Sequence, residues 1–400
     1  MIPSLDILDV QGPYAALLHS NSEDGRTLLA LGAEHAVSLR SGEGAFAALK
    51  ALVDRGDWVF TLLGYDLRTE VEHVPDTNPD TLQLPDLVAF VPREVWEWCG
   101  DRWCTLKGER PHPPTLQTPT PPTPSYTLHP AISRETYLED VRLMLQHIQR
   151  GDIYEVNYCQ EFVAEGVEVD PLALYLSLNL HTQAPFSALL TCPQGSLVSG
   201  SPERFLRKTG ERIVSQPIKG TAPRGATPEE DQALAAALRA DPKEISENVM
   251  ITDLVRNDLS RVADRGSVQV DELCGIYSFR TVHQMISTVS CTARGVHPVD
   301  VIQACFPMGS MTGAPKVRAM ELIDQVEHRR RGWYSGAVGY FSPDGDFDLN
   351  VVIRSLAYRP DVRTLTAGVG GAITAKALPE HEYDECLLKL RALQLAGVHA

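Results

Sequence analysis

Ahead of residue 109 the apolar residues come in short runs bounded by Gly, Pro and Asp. VFTLLGYDL, which begins at Val59, reads as a strand running into a glycine turn, and PDLVAFVPREVWEWC, residues 85–99, as further strand. Between Glu109 and Pro130 the sequence ERPHPPTLQTPTPPTPSYTLHP is dense in Pro and Thr. Proline brings no N–H to a hydrogen-bond ladder, so this stretch reads as an extended connector. A linker between independent domains and a long crossover within one fold are both compatible with it. Beyond it, long helical periods interleave with strands, which points to an α+β chain rather than repeated βαβ units. The chain therefore divides into an N-terminal region (1–108), the connector (109–130) and a larger region (131–400), with both flanking parts expected to belong to one fold. No internal repeat interrupts this organisation.

Caps place several helices. Asp241-Pro242-Lys243-Glu244 has the form of a capping box with Pro in the first turn, opening a helix that runs to about Leu259. Pro379 begins a C-terminal helix through about Leu395, ended by Gly397. Ser133 opens another, with Leu138, Val141, Leu145 and Ile148 on one face and Gly151 at its end.

Composition narrows the function classes. The apolar fraction of 43% and charged fraction of 22% are those of an ordinary globular protein. No run approaches 18 apolar residues, and the N-terminus lacks a basic region followed by an apolar one. The expectation is a cytoplasmic protein without membrane association. The eight cysteines include no C-x-x-C pair, so they are expected to be reduced and mostly buried. A formal net charge of −16 argues against nucleic acid as a partner. It also means that an anionic substrate would need locally concentrated cations or a metal ion.

Several residue groups suit such a site. Glu244 and Glu247 lie three apart on one helix, Glu382 and Glu385 three apart on another, so each pair shares a helix face. Two carboxylate pairs suit a hard cation such as magnesium; solvated helix faces have the same spacing. Lys219, between Ile218 and Gly220 in SQPIKGTAPRG, is a candidate nucleophile, or part of a polar surface turn. GSMTGAPK (309–316) is glycine-rich and ends in Lys, a composition able to cradle an anion, although it lacks the Walker A spacing. His283 reads equally as a general acid or base and as a satisfied core histidine. Arg354, closing the apolar run NVVIRS, is expected to pair with a carboxylate of the protein or of a ligand.

The ordered set SPERFL (201–206), PIKGTAPRG (217–225), ENVMITDLVRNDLSRV (247–262), VHQMIS (282–287), GSMTGAPKVRAMELI (309–323), RGWYSGAVGYF (331–341), IRS (353–355) and EHEYDECLLK (380–389) resembles the chorismate-binding family. That family includes anthranilate, aminodeoxychorismate, isochorismate and salicylate synthases. PYAALLHS (13–20) and LLGYDL (62–67) extend the likeness to component I enzymes into the N-terminal third. The resemblance implies an anthranilate synthase component I-like α+β fold, in which two layered antiparallel sheets are flanked by helices and enclose the active site. Glu247 and Glu385 match magnesium ligands; Glu244 and Glu382 match the partners of metal-bound waters. Tyr334, Arg354 and Lys389 match positions that bind substrate carboxylates, with Gly220 and Thr221 lining the same pocket. Gly371 and Ala372 stand in the family's glycine stretch, where a backbone N–H contact tolerates Ala. Ser310 falls near the substrate, His283 beside its ring, and Glu203 at the place of a general acid for the departing C4 hydroxyl.

Lys219 discriminates within the family, because the resemblance implies Lys here in aminodeoxychorismate synthases and Ala in the other branches. Its amine would attack C2 of chorismate while the C4 hydroxyl leaves, and ammonia would then add at C4 and expel the lysine. That chemistry serves 4-aminobenzoate and folate synthesis. The pocket is expected to lower the Lys219 pKa against opposition from nearby carboxylates. No segment resembles a glutamine amidotransferase, so a separate glutaminase subunit is the implied partner and source of ammonia.

Overall fold

The computed structural model describes residues 4–397 apart from 6, 7, 11, 23, 24, 116–124 and 281. The middle of the Pro/Thr-rich connector therefore lies outside the described residues. Two large antiparallel sheets form the body. The first runs, from one edge, through Gly313–Ala314, Glu155–Glu165, Thr364–Thr374, Ser355–Arg359, Gly195–Ser201, Phe186–Cys192, Ala15–His19, Thr27–Leu31, Glu94–Trp98 and Trp103–Lys107. The second runs through Ile218–Pro223, Val282–Thr292, Arg212–Gln216, Arg204–Thr209, Phe347–Val351, Ala337–Phe341, Val59–Leu63, Leu87–Val91 and His35–Leu39.

Each sheet joins a block of strands from before the connector to a block from after it. Ala15–His19 pairs with Phe186–Cys192 in the first, and Val59–Leu63 with Ala337–Phe341 in the second. PDLVAFVPREVWEWC supplies one strand to each sheet: Leu87–Val91 to the second and Glu94–Trp98 to the first. The break falls at Pro92, which offers no N–H to continue a ladder.

Three apolar cores fix the layers. Phe60, Phe90, Leu28, Leu197, Val338 and Trp333 fill the space between the sheets. The outer face of the first sheet is covered by helices Arg134–Arg150, Pro171–Thr182, Lys316–Val326 and Pro379–Leu395. Helices Ala45–Val53, Pro242–Ser260 and Pro298–Cys305 cover the second. The caps behave as read: Ser133 accepts from the Thr136 N–H, Gly151 is left-handed at φ 83°, and Asp241 accepts from the N–H groups of Lys243 and Glu244. Among the described residues no helix is long and apolar enough to cross a membrane.

The cysteine expectation needs one correction. Cys99 and Cys104 form a disulfide, their Cα atoms 6.2 Å apart. The hairpin joining Glu94–Trp98 to Trp103–Lys107 brings them together, which spacing along the chain does not reveal. The other six cysteines are free, and five of them are buried.

One buried cation ties the layers at the future site. The Arg331 guanidinium donates to both Glu327 carboxylate oxygens, at 2.6 and 2.9 Å, to the Met311 carbonyl at 2.7 Å and to the Asn157 carbonyl at 2.8 Å. It lies 4.4 Å from the Tyr65 ring centroid, while Glu327 also accepts from the Cys159 N–H. Replacing Arg331 by Ala would leave Glu327 buried without its cation. Urea melts are expected to show a loss of about 3–5 kcal/mol for Arg331→Ala, the usual cost of breaking a buried pair from one side.

Candidate active site

Lys219 owes its position to a β-bulge. Ile218 pairs with Ile286 and Thr221 with Gln284, so Lys219 and Gly220 together face the single residue Met285. Gly220 has φ +95°, a conformation open to glycine, and the bulge turns the Lys219 side chain out of the ladder. Its Nζ donates to Glu155 Oε1 at 2.6 Å, and both side chains are nearly buried. Burial by itself would lower the Lys219 pKa. The carboxylates of Glu155, Glu247 and Glu203 outweigh burial and hold it above the usual lysine value. Of the two opposing effects expected from the sequence, the carboxylates win, which favours the ammonium form of Lys219.

Glu203 sits across from it, buried, and accepts from the Ser310 hydroxyl at 2.7 Å. Burial pushes its pKa up to about 7, with Ser310 and Lys219 opposing. A carboxyl in this state is divided between acid and carboxylate near neutrality. Ser310 rides on the turn Gly309–Met311, whose neighbour Met311 is held through its carbonyl by Arg331. The lysine that ends GSMTGAPK is turned inward. Lys316 Nζ is spent on Asp258 at 2.6 Å and on the carbonyls of Cys305 and Pro307.

The two helices carrying the glutamate pairs bring them within electrostatic reach. Glu244 lies against Gly220, where an added methyl group would meet its Oε2 at 3.1 Å. Glu247 is buried and accepts from Thr374 Oγ1 at 3.3 Å. Burial and then the charge of Glu385 push the Glu382 pKa up to about 7. Glu385 goes the other way: burial is outweighed by Lys389, 2.7 Å away, which holds it below the usual range. Among the described residues no three Asp, Glu, His or Cys side chains converge as a preformed metal centre. A donor set of paired carboxylates with one member short of countercharge still suits magnesium, which commonly takes one or two carboxylates and completes its shell with water and substrate oxygens.

The other candidate residues gather on and beside the first sheet. Gly371 lies opposite Tyr158 and Ala372 opposite Asn157 in the ladder between Thr364–Thr374 and Glu155–Glu165. A methyl group added at Gly371 would lie 3.4 Å from Lys389 Nζ, which itself donates to the Gly370 carbonyl. The Tyr334 ring lies over Gly368. Arg354 has φ 52°, and no hydrogen bond or ion pair to its guanidinium occurs among the described residues. Of the two carboxylate partners expected, protein or ligand, no protein one is hydrogen-bonded to it there; burial pulls its pKa down, with Tyr334 and Glu385 opposing at longer range. A largely buried, unpaired guanidinium is costly unless a ligand completes it.

Thr221 is exposed at the mouth of the bulge. His283 is buried and its ring is fully engaged, Nε2 with Asp231 Oδ1 at 2.9 Å and Nδ1 with Ser278 Oγ at 2.8 Å. Asp231 is in turn held by Arg224 and the Gly225 N–H. The fold thus brings together Lys219, Glu203, Ser310, the four glutamates and Lys389, with Gly371 and Ala372 on strand Thr364–Thr374 and Tyr334 and Arg354 in a turn and a bend outside the strands. It ties His283 into a separate network.

Two functional positions escaped the sequence reading. Glu155 is the ion-pair partner of Lys219, and Asn157 donates to the Ser310 carbonyl while its buried Oδ1 has no partner among the described residues. The available signal was the spacing of Glu155 and Asn157, two residues apart and so on one face of the strand that opens EVNYCQEF.

Glycine substitutions test this packing. A methyl group at Gly368 would meet Tyr334 Cγ at 2.2 Å, whereas at Gly371 every contact is 3.4 Å or longer. Thermal or urea melts are expected to place Gly371→Ala within about 1 kcal/mol of the parent and Gly368→Ala about 1–3 kcal/mol below it, the cost of overpacking.

The chain is similar to several known proteins. The aminodeoxychorismate synthase of Arabidopsis thaliana is 45% identical over 66% of this chain, which spans only 29% of that relative's length. Anthranilate synthase component 1 of Thermus thermophilus is 38% identical over 82% of this chain and 75% of its own. Aminodeoxychorismate synthase component 1 of Escherichia coli is 33% identical over 95% of this chain and 92% of its own. The crystal structure of anthranilate synthase component I from Streptococcus pneumoniae shares the fold, with a TM-score of 0.83 at 23% identity and 93% coverage of both chains. The family described as chorismate binding enzyme matches residues 6–395, nearly the whole chain, and to that family the protein belongs.

Proposed function

We propose that this chain aminates chorismate at C4, yielding 4-amino-4-deoxychorismate, the activity carried in the names of its Arabidopsis and Escherichia coli relatives. The observation that carries the reading is Lys219: a nearly buried amine, aimed by a bulge into the space shared with Glu203 and the glutamate pairs. In this reading the amine adds to C2 of the substrate and the C4 hydroxyl departs. Ammonia then adds at C4 and the lysine leaves, so that one difficult displacement becomes two easier ones. Glu203, with its pKa near neutrality, supplies the proton the hydroxyl needs to leave as water. Ser310 holds that carboxyl in place, and Arg354, Tyr334 and Lys389 receive the substrate's carboxylates. Ammonia would come from a separate glutamine amidotransferase subunit, in keeping with the "component 1" in the Escherichia coli relative's name.

Glu247 and Glu385, with Glu244 and Glu382 one turn earlier, would hold magnesium. Bound there, the ion would offset repulsion between these carboxylates and those of chorismate. The Thermus relative's name keeps C2 amination to anthranilate as the rival reading, and product identity separates the two.

Incubation with chorismate, magnesium and ammonium, with and without an added aminodeoxychorismate lyase, is expected to yield 4-aminobenzoate only with the lyase. Lys219→Ala should reduce that product by more than about a hundredfold, as loss of a reacting side chain does. Anthranilate formed without the lyase would reject the C4 assignment. Magnesium binding is expected to release a proton. Glu382 is partly protonated below about pH 7 and a cation favours its charged form, so affinity should rise as pH increases through 7. Calorimetry at pH 6.5 in buffers of different ionisation enthalpy would measure the release.

A further inference from the structure

Glu155 lies at the first position of strand Glu155–Glu165, between Gly313–Ala314 on one side and Thr364–Thr374 on the other. Its backbone is thus fixed by two ladders, in register with Ala314 and Thr374. Its carboxylate is buried, and Oε1 accepts from Lys219 Nζ at 2.6 Å. Among the described residues no other carboxylate is paired with this amine. Glu203 is taken up with Ser310, and Glu247 with Thr374 and Lys243. An ammonium has no lone pair, so Lys219 must lose a proton before it attacks. That proton has one hydrogen-bonded acceptor in the site.

We infer that Glu155 is the proton acceptor that converts the Lys219 ammonium into the attacking amine and returns the proton when the lysine is released. The inference rests on the C4-amination reading given above. The balance closes. A proton passes from Nζ to Glu155 Oε1, leaving neutral amine and neutral acid. The nitrogen lone pair forms the bond to C2, the two conjugated ring double bonds shift, and the C4–O bond breaks. Glu203 protonates the departing hydroxyl, so water leaves and Glu203 becomes a carboxylate. Ammonia then bonds to C4, the double bonds shift back, and the C2–N bond breaks to free neutral Lys219. The new C4 ammonium gives a proton to Glu203, Glu155 returns its own to Lys219, and both carboxyl groups regain their starting states. Chorismate and ammonia have become aminodeoxychorismate and water. The rigid strand matters here, because a proton handed over and taken back needs an acceptor that stays at hydrogen-bond distance.

The test is steady-state kinetics of the full chain with chorismate, saturating magnesium and ammonium, and the lyase-coupled product read-out. Glu155→Gln keeps a hydrogen-bond acceptor of the same size but removes the proton acceptor. The expected result is a kcat reduced about 10²–10⁴-fold with the chorismate KM within about threefold of the parent, the range for loss of a general base. Glu155→Asp keeps the carboxylate at a longer reach and should fall in between, near a tenfold loss in kcat. A parental kcat in Glu155→Gln, or an Asp variant as slow as the Gln variant while both are folded by circular dichroism, overturns the inference. If Glu155→Gln does not fold, Glu155→Asp decides alone: a kcat lower by about tenfold at unchanged KM supports the inference, and a parental kcat overturns it. Lys219→Ala measured alongside separates the two levels. Parental activity there removes the C4-amination reading itself, whereas an inactive Lys219→Ala beside a fully active Glu155→Gln removes only the role of Glu155.

Discussion

The site depends on the buried Arg331–Glu327 pair. Arg331 joins the turn that carries Ser310, the strand that carries Glu155 and Asn157, and Tyr65 from the N-terminal region. Glu327 closes the same knot by accepting from the Cys159 backbone. A charge pair removed from water is seldom a net source of stability, because desolvation costs about as much as the attraction returns. Its effect is on position. Each partner is left with an expensive unpaired charge unless these segments keep their relative places, so the pair fixes Ser310 against Glu203 and the strand of Glu155 against Lys219.

Charge is organised around that frame in a way the overall balance of −16 conceals. The site concentrates carboxylates that burial alone would neutralise and spaces them with Lys219, Lys243 and Lys389. The results differ by position. Glu385, beside Lys389, stays ionised, while Glu382, a turn away and more enclosed, is half neutral near pH 7. Lys219 is held as an ammonium by the same surplus of negative charge. Arg354 has no hydrogen-bonded carboxylate among the described residues, and burial depresses its pKa against the pull of Tyr334 and the more distant Glu385. In the function proposed above, a dianionic substrate arriving with a divalent cation would satisfy both imbalances, the metal by countering the glutamates and a substrate carboxylate by pairing with Arg354.

Much of this was legible in the chain because it depends on local chemistry. The caps at Ser133 and Asp241 are set by side chains reaching their own helix's first N–H groups, so reading them needs only neighbours in sequence. The three-residue spacing of Glu244 and Glu247, and of Glu382 and Glu385, follows from helical geometry. Lys219 stood out because a glycine beside it lets the backbone approach a ligand closely, whereas the bulge that aims it appears only in the strand pairing. The ordered motifs carried the family and, through it, the layered fold.

Other features depended on which distant segments meet. The partition of residues 85–99 between two sheets is decided at Pro92 by long-range pairing, and the Cys99–Cys104 bond by a hairpin. His283 satisfies a motif, yet its ring is tied up by Asp231, 52 residues away. The direction of the Lys219 shift is a competition between burial and charge, and Glu155, 64 residues distant, tips it. The sequence by itself determined the family, the helices that carry the glutamates and the place of the candidate nucleophile, because these follow from side-chain type and spacing. Only the tertiary structure decided which carboxylate holds that lysine, which histidine nitrogens are spent and which arginine stands unpaired. Those properties belong to the field and burial at a point in space, and segments far apart in the chain create both.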